Sequence, residues 1–391
     1  MAGDSVTIDK LELLGINSSP NTDDILHNVR RTDATDYSYH ITVEQAVGLE
    51  KTYITDMVVK ELSDCLRFAV ALSNKSCMVY NLSSTQFSSL AVLQGHEKSI
   101  SNVRFSPKSD NVVYTGSLDG RIRIWDLRRQ NCVRELKDET GMKPLSCFDV
   151  SFDDRFICAG TELYDGDAFI LFWDIRSRKL LGGYWESHTD DLTQVAFHPE
   201  KADLIATGSV DGLINLFDIS QTCEDDALKH SLNTESSVGK VRWHKNNSIS
   251  CITHTEVVQL WNMEGGGPDL TLSREDTAEA LQKLNSDDSY VVDIHQKSND
   301  NLFLLAGSAG GKGECLKILE IEKNKVTTTT EFVGNRQIVR TSTYNPLTKM
   351  LCTAGESGYI SVWKPGEPSE KSNSGPKKVS KARNKHKSKP Y

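Results

Sequence analysis

Short runs in which apolar and polar residues alternate recur along the chain, and this period of two is typical of half-buried β-strands. The clearest set lies in residues 95–127, where one run is centred on Val103, a second spans Val112 to Thr115, and a third alternates Ile122 and Ile124. A Ser-Leu-Asp-Gly turn separates the second run from the third. The range therefore predicts three short strands joined by tight turns. It is framed by a Gly-His pair at its start and a Trp-Asp pair at its end.

The aromatic end of the third strand recurs at regular intervals. Equivalent positions follow one another after 45, 48, 44, 44, 58 and 44 residues, and an acidic or amide residue follows six of the seven. A period of about 40–45 residues with four short strands per unit is typical of β-propellers. The sequence therefore predicts an all-β, seven-bladed propeller. The aligned positions are Tyr80, Trp125, Trp173, Phe217, Trp261, Leu319 and Trp363.

The strand count also predicts how the ring closes. Pro365 and Pro368 follow Trp363, and because proline cannot donate to a strand ladder, the last blade lacks its outer strand. Alternation in residues 39–44 predicts a spare strand near the N-terminus. We expect this strand to complete the last blade, which removes the exposed edge of an open ring.

Two insertions interrupt the repeat. The turn before Trp173 expands to residues 161–167, and the 58-residue interval contains a Gly-Gly-Gly-Pro segment followed by residues 276–284. The latter predict a short helix capped by Asp276, inserted between blades five and six. Insertions of this kind fall in loops at the faces of a propeller, where binding usually occurs.

The frame from Gly95-His96 to Trp125-Asp126 resembles the WD-repeat β-propeller family, and the resemblance covers about residues 39–366. In that family a His, a Ser or Thr, an Asp and a Trp of one blade form a hydrogen-bonded structural tetrad. The resemblance assigns these roles in blade two to His96, Ser117, Asp119 and Trp125.

Other blades depart from the tetrad pattern. Blade four keeps His188, Ser209 and Asp211 but has Phe217 in place of tryptophan, so the resemblance implies an incomplete tetrad there. In blade seven, Gly and Ser replace the Ser and Asp. Several longer strings, such as the one from Ser187 to Val195, are similar to one subfamily of WD-repeat proteins. That subfamily implies the same fold and repeat count.

Charge separates the chain into an acidic body and a basic tail. The net charge is −9, but residues 371–391 hold eight Lys or Arg and no acid, which leaves −17 on residues 1–370. We predict a disordered arm at residues 1–36, the propeller at 37–368, and a disordered basic tail at 369–391. The tail residues predicted to act in nuclear targeting are Lys377, Lys378, Lys381, Arg383, Lys385, Lys387 and Lys389.

The tail allows three interpretations. It could direct import into the nucleus or retention in the nucleolus, contact RNA or DNA through phosphates, or be inert. Base stacking is not expected, because no aromatic residue precedes Tyr391 within the tail. We favour the targeting interpretation and expect a nuclear protein, with the cytoplasm as the alternative.

Composition excludes several classes of protein. No apolar run approaches 18 residues, so we expect no membrane association through a spanning helix. The N-terminus lacks the basic and apolar regions of a secretory signal. Nine cysteines occur without any Cys-x-x-Cys pair, and several lie in apolar strand-like runs. Buried reduced thiols in an intracellular protein explain this pattern better than disulfides or zinc.

Catalysis is not expected either. His96 and His188 lie at tetrad positions, where packing explains them. Cys251 and His254 are spaced like half of a zinc site, but no second ligand pair lies at a suitable distance. The glycine-rich range 307–313 lacks the Gly-Lys-Ser/Thr ending of a phosphate loop. We therefore expect no enzyme activity, no cofactor and no metal.

Two groups of residues are candidates for binding a partner. The first is acidic: Tyr164, Asp165 and Asp167 lie in the expanded turn of blade three, and Asp190 and Asp191 enter blade four. If both loops share a face, they favour a basic peptide as partner. The alternative is that the turn is simply a solvated hairpin tip.

The second group consists of Arg128 and Arg176, each within a Trp-Asp-x-Arg string. This pattern is similar to that of substrate receptors that dock on the propeller adaptor of cullin-four ubiquitin ligases, where such arginines offer bidentate hydrogen bonds. The alternative is that both are plain surface residues. The sequence thus predicts a monomeric, non-enzymatic interaction scaffold. It leaves open a ligase receptor and a nuclear assembly factor that contacts RNA through its tail.

Overall fold

The computed structural model describes residues 38–48, 52–177, 179–245, 248–263, 266–323 and 325–366. In this part of the chain, antiparallel β-sheets follow one another as the blades of a seven-bladed propeller, which confirms the predicted fold class. The predicted N-terminal arm and the basic tail lie outside the described residues, so those two predictions stay predictions.

Each of the first six blades consists of four consecutive strands. Blades one to three contain β2 (Ile54–Glu61), β3 (Leu66–Leu72), β4 (Cys77–Ser83), β5 (Gln86–Leu93); β6 (Ile100–Phe105), β7 (Val112–Ser117), β8 (Arg121–Asp126), β9 (Asn131–Lys137); and β10 (Leu145–Val150), β11 (Phe156–Thr161), β12 (Ile170–Asp174), β13 (Lys179–Tyr184). Blades four to six contain β14 (Leu192–Phe197), β15 (Leu204–Ser209), β16 (Leu213–Asp218), β17 (Leu228–Asn233); β18 (Val238–Trp243), β19 (Ser248–Thr253), β20 (Val258–Asn262), β21 (Pro268–Leu272); and β22 (Ser289–Gln296), β23 (Leu302–Ser308), β24 (Leu316–Glu322), β25 (Lys325–Val333).

Blade seven combines strands from both ends of the propeller, as predicted. Its own strands are β26 (Val339–Asn345), β27 (Met350–Gly355) and β28 (Tyr359–Gly366), and β1 (Ser38–Ala46) supplies the fourth. Strand β1 runs antiparallel to β28, from the pair Ser38–Gly366 to the pair Ala46–Tyr359. It also forms two parallel pairs with β25. Blades six and seven therefore share one eight-stranded sheet.

The second strand of each blade is buried along most of its length, because it is covered by neighbouring blades on both sides. In all blades except one and five, a glycine near the end of this strand permits a close approach. A Cβ atom on Gly160 would lie 2.6 Å from the Cβ of Leu192, and one on Gly208 would lie 2.6 Å from Val238 Cγ1. Both contacts are to the first strand of the following blade. These glycines allow the blades to pack face to face.

The insertions form short local structures. Helix α1 (Glu224–Ala227) precedes β17, and helix α2 (Arg274–Ala280) lies between blades five and six, as expected. The predicted cap of α2 is corrected: Ser273 is the N-cap, and Asp276 is the third helical residue of a capping box. No helix in the described ranges has the length and apolar character needed to cross a membrane.

Candidate functional site

The tetrad of blade two is present, but its hydroxyl comes from Thr115 and not from Ser117. His96 Nδ1 lies 2.8 Å from Asp119 Oδ2, His96 Nε2 lies 2.8 Å from Thr115 Oγ1, and Trp125 Nε1 donates to the same Oγ1 at 2.9 Å. The Ser117 hydroxyl instead donates to the Lys98 carbonyl and accepts from the Asp119 N–H. The register gives the reason: Trp125 pairs with Val113, so the next side chain on that face is Thr115.

Hydrogen bonds hold the Asp119 carboxylate in its charged form. Burial raises the pKa of Asp119, but the hydrogen bonds from His96 and from the Glu97 and Arg121 N–H groups outweigh it, and the pKa is lowered. The side chains of His96 and Asp119 are almost completely buried. This arrangement fixes the loop that enters the blade onto its second and third strands, so it is structural.

Blade four repeats this geometry with Thr207 in place of the predicted Ser209. His188 lies 2.9 Å from Asp211 Oδ2 and 2.8 Å from Thr207 Oγ1. Ser209 donates to the Asp190 carbonyl at 3.0 Å. The Phe217 side chain has no N–H to donate, so this tetrad lacks its fourth member, as the resemblance implied.

Without the threonine, the tryptophan depends on another acceptor: in blade three, where Ala159 stands at this position, Trp173 Nε1 donates to the Lys137 carbonyl at 3.4 Å. In blade seven Trp363 Nε1 donates to Thr353 Oγ1 at 2.8 Å. In blade five the equivalent position is Cys251, because Trp261 pairs with Ile249 two residues earlier. The Trp261 Nε1 atom is buried and has no hydrogen-bond partner in the described part of the chain.

The described residues contain no group of three or more His, Cys, Asp or Glu side chains that could hold a metal ion. Cys251 lies buried within β19, and burial raises the pKa of its thiol to about 12. This thiol is therefore protonated and poorly suited to bind a metal.

The acidic loops lie side by side on one face of the propeller, here called the upper face. It carries the loops that enter each blade and those that join the second and third strands. The Leu163 N–H donates to Asp191 Oδ1 at 2.6 Å, which joins the expanded turn to the loop before β14. Tyr164 and Asp167 form an isolated bridge closed by Asp165 and Gly166, both with positive φ. Asp165 and Asp167 are exposed, and Asp190 is half-buried.

Arg128 and Arg176 lie on the opposite, lower face, each directly after the third strand of its blade. The Arg128 guanidinium donates to Asp126, from Nε to Oδ1 at 3.2 Å and from Nη2 to Oδ2 at 3.0 Å, while its side chain is 72% exposed. Arg176 is exposed, and only its backbone N–H donates to Asp174, at 2.7 Å. The two arginines therefore occupy equivalent positions on neighbouring blades.

Comparison with known proteins agrees with the fold. Residues 87–126 and 179–218 match the family model described as WD domain, G-beta repeat. Each match begins at or next to the outer strand of one blade and ends with the third strand of the next, so the sequence repeat is offset from the blade. The chain therefore carries WD repeats within a seven-bladed β-propeller, and propellers built from WD repeats are generally non-enzymatic and bind other proteins.

Two relatives are similar to most of the chain, and a third to about half of it. It is 23% identical to WD repeat-containing protein 89 homolog of Dictyostelium discoideum, over 81% of this chain and 84% of that protein. It is 28% identical to WD repeat-containing protein GTS1 of Arabidopsis thaliana, over 81% and 82%. Pre-mRNA-processing factor 19 of Bos taurus is 27% identical over 46% of this chain and 34% of that protein. The strings around Ser187–Val195 resemble WD repeat-containing protein 89 and its homologues, and the comparison supports that likeness.

Proposed function

We propose that this non-enzymatic interaction scaffold is a substrate receptor that docks on the propeller adaptor of a cullin-four ubiquitin ligase. The observation that carries the proposal is the equivalent placement of Arg128 and Arg176 on the lower face. Both side chains are exposed, so neither is needed for packing. Arginine is enriched at protein interfaces and often dominates their binding energy.

The neighbouring aspartate suits Arg128 to this role. Guanidinium has five N–H donors, and the two side-chain hydrogen bonds to Asp126 leave three of them for a partner. Asp126 also accepts from the Arg128 backbone N–H at 2.9 Å. The side chain is thus oriented before it binds, which reduces the entropy that binding costs.

The test is recovery of the purified adaptor by wild-type protein and by a variant with Arg128→Ala and Arg176→Ala. We expect recovery to fall at least tenfold, since truncation of an interface hot spot costs about 2 kcal/mol or more and arginine is enriched among hot spots. Arg129→Ala is the matched control, because Arg129 is exposed in the same turn. Equal recovery by the double variant and the control would reject this function.

A second candidate is a nuclear or nucleolar assembly factor that contacts RNA through the basic tail. The charge of residues 371–391 favours it, and the similarity to a pre-mRNA-processing factor supports a nuclear role. We expect salt-sensitive retention on RNA and nuclear accumulation of a fluorescent fusion, both lost when residues 369–391 are deleted. A protein that lacks residues 369–391 but stays nuclear and bound to RNA would contradict this candidate.

A further inference from the structure

The upper face carries a surface that has no part in docking through the lower-face arginines. We name this surface the acidic rim. Two large apolar side chains are exposed there: Met142 at 47% and Leu163 at 42%. They belong to neighbouring loops, one entering blade three and one within it. Five of the carboxylates in these loops and in the loop that enters blade four define the acidic rim: Glu139, Glu162, Asp165, Asp167 and Asp190.

Hydrogen bonds hold the three loops of the acidic rim together. The Glu162 N–H donates to the Pro144 carbonyl at 3.0 Å, which ties the expanded turn to the loop before blade three. On the other side, the Leu163 N–H donates to Asp191 at 2.6 Å. The Tyr164 ring packs against Gly141, next to Met142, since a Cβ at Gly141 would lie 3.1 Å from the Tyr164 hydroxyl oxygen.

The charge of the acidic rim is not neutralised within the described residues. None of its five carboxylates forms an ion pair with a described side chain. The lysine within these loops is Lys143, which is buried and paired with Asp138 at 2.5 Å. Its ammonium also lies 4.6 Å from the centre of the Phe169 ring. Lys143 therefore stabilises the loops from beneath and does not offset the surface charge.

We propose that the acidic rim binds a lysine- or arginine-rich segment of a partner protein that also carries an apolar side chain. Uncompensated carboxylates attract a basic segment and raise its association rate. The apolar side chain of the segment packs on Met142 and Leu163, which supplies the desolvated contact that charge alone lacks. The proposal deepens the function proposed above, because this segment is then the class of substrate recognised by the receptor. It uses the face opposite the two arginines.

The test measures fluorescence anisotropy of a labelled 12-residue peptide of alternating Lys and Leu with the full chain. We expect Asp165→Asn, Asp167→Asn and Asp190→Asn together to weaken binding at least tenfold at low salt. Asparagine suits residue 165, whose φ is 55°, because asparagine tolerates that conformation. The matched control changes Asp225, Asp226 and Asp269 to asparagine, which alters the net charge equally at exposed sites elsewhere.

The outcomes separate the two parts of the proposal. Met142→Ser with Leu163→Ser should also weaken binding, whereas a peptide with Ser in place of Leu should bind weakly to every variant. Equal affinity of the rim variant and its control would overturn the proposal. If the peptide binds only after residues 369–391 are removed, the acidic rim binds the chain's own tail. This result would also overturn the proposal. Adaptor recovery by the rim variant should be unchanged, so failure here is distinct from failure of the lower-face docking.

Discussion

In blades two, five and seven, a single hydroxyl decides whether the buried tryptophan is satisfied. Thr115 and Thr353 each accept the indole N–H of their blade, at 2.9 and 2.8 Å. Cys251 occupies the same position in blade five, and the Trp261 N–H is left without a partner in the described structure. A buried donor that stays unsatisfied costs about 1–3 kcal/mol. Blade five therefore carries a local defect that one substitution should correct.

We predict that Cys251→Thr stabilises the protein by about 1 kcal/mol, the usual net contribution of one hydrogen bond. The side chains are similar in size, and threonine is favoured in strands. The free energy of unfolding in urea measures the effect. Cys251→Val, which removes the thiol without adding an acceptor, is the control and should give no comparable gain. A Cys251→Thr variant no more stable than the valine variant would contradict the interpretation.

Sequence reasoning identified the His, Asp and Trp of the tetrads but not the threonine. Ser117 and Ser209 lie two residues before their aspartates, and Thr115 and Thr207 lie four residues before them. Both hydroxyl positions fit the family spacing. Only the strand register shows which hydroxyl lies beneath the tryptophan. Likewise, sequence alone could not show that Asp126 already holds Arg128.

Charged and titratable side chains link the inner strands of blades five, six and seven. Arg242 on β18 donates to Asp293 on β22 at 2.6 Å, and His295 on β22 lies 2.8 Å from the Ser342 hydroxyl on β26. Burial lowers the pKa of His295 to about 3; Asp293 opposes this shift, while Arg242, Lys240 and His244 add to it. Burial similarly lowers the pKa of His244 to about 4. Both histidines are therefore neutral in the folded protein.

This cluster predicts how stability depends on pH. Between pH 6.5 and about 4, the unfolded chain binds protons at these histidines that the folded protein does not, so stability falls as the pH falls. Each histidine contributes up to about 1.4 kcal/mol per pH unit. His295→Gln should make this dependence shallower by about that amount, measured by urea unfolding at pH 4.5, 5.5 and 7. His230→Gln, at an exposed position, is the control. An unchanged slope in His295→Gln would contradict a neutral buried His295.

At the scale of the whole molecule, one strand joins the two ends of the ring. Tyr39 on β1 is 6% exposed, and its ring stacks on Phe332 of β25 with centroids 4.9 Å apart. Its hydroxyl donates to the Lys349 carbonyl of blade seven at 2.7 Å. Tyr39 thus contacts blades six and seven together. The strand that closes the ring also packs its two last blades against each other.

We predict that Tyr39→Ala destabilises the protein by about 3–5 kcal/mol, as truncation of a buried aromatic residue does. Tyr39→Phe should cost only about 1 kcal/mol, because it removes the hydrogen bond and keeps the ring. The midpoint of thermal or urea unfolding measures both effects. Tyr53→Ala, at a side chain 49% exposed, is the control. A loss below 1 kcal/mol in Tyr39→Ala would show that β1 does not secure the ring.

The global architecture could be predicted because it depends on periodicity, which survives substitution at single positions. Seven strand ends at regular spacing, and prolines after Trp363, were enough to predict the blade count and the closing strand. The parallel pairing of β1 with β25 could not be predicted, since two residue pairs leave no trace in the hydrophobic pattern. Surfaces were the least predictable, because Met142 and Leu163 look like core residues until the loops that carry them are placed.

The closing strand also sets an order for synthesis on the ribosome. Strand β1 is the first of the described strands to be made, and its main partner begins at Tyr359, about 310 residues later. At translation rates of about 5–20 residues per second, β1 waits roughly 15–60 s before this partner is made. A premature stop codon just before Tyr359 would remove fewer than one tenth of the residues and yet release a ring that cannot close. A stop codon just after Gly366 would leave every strand of the propeller in place.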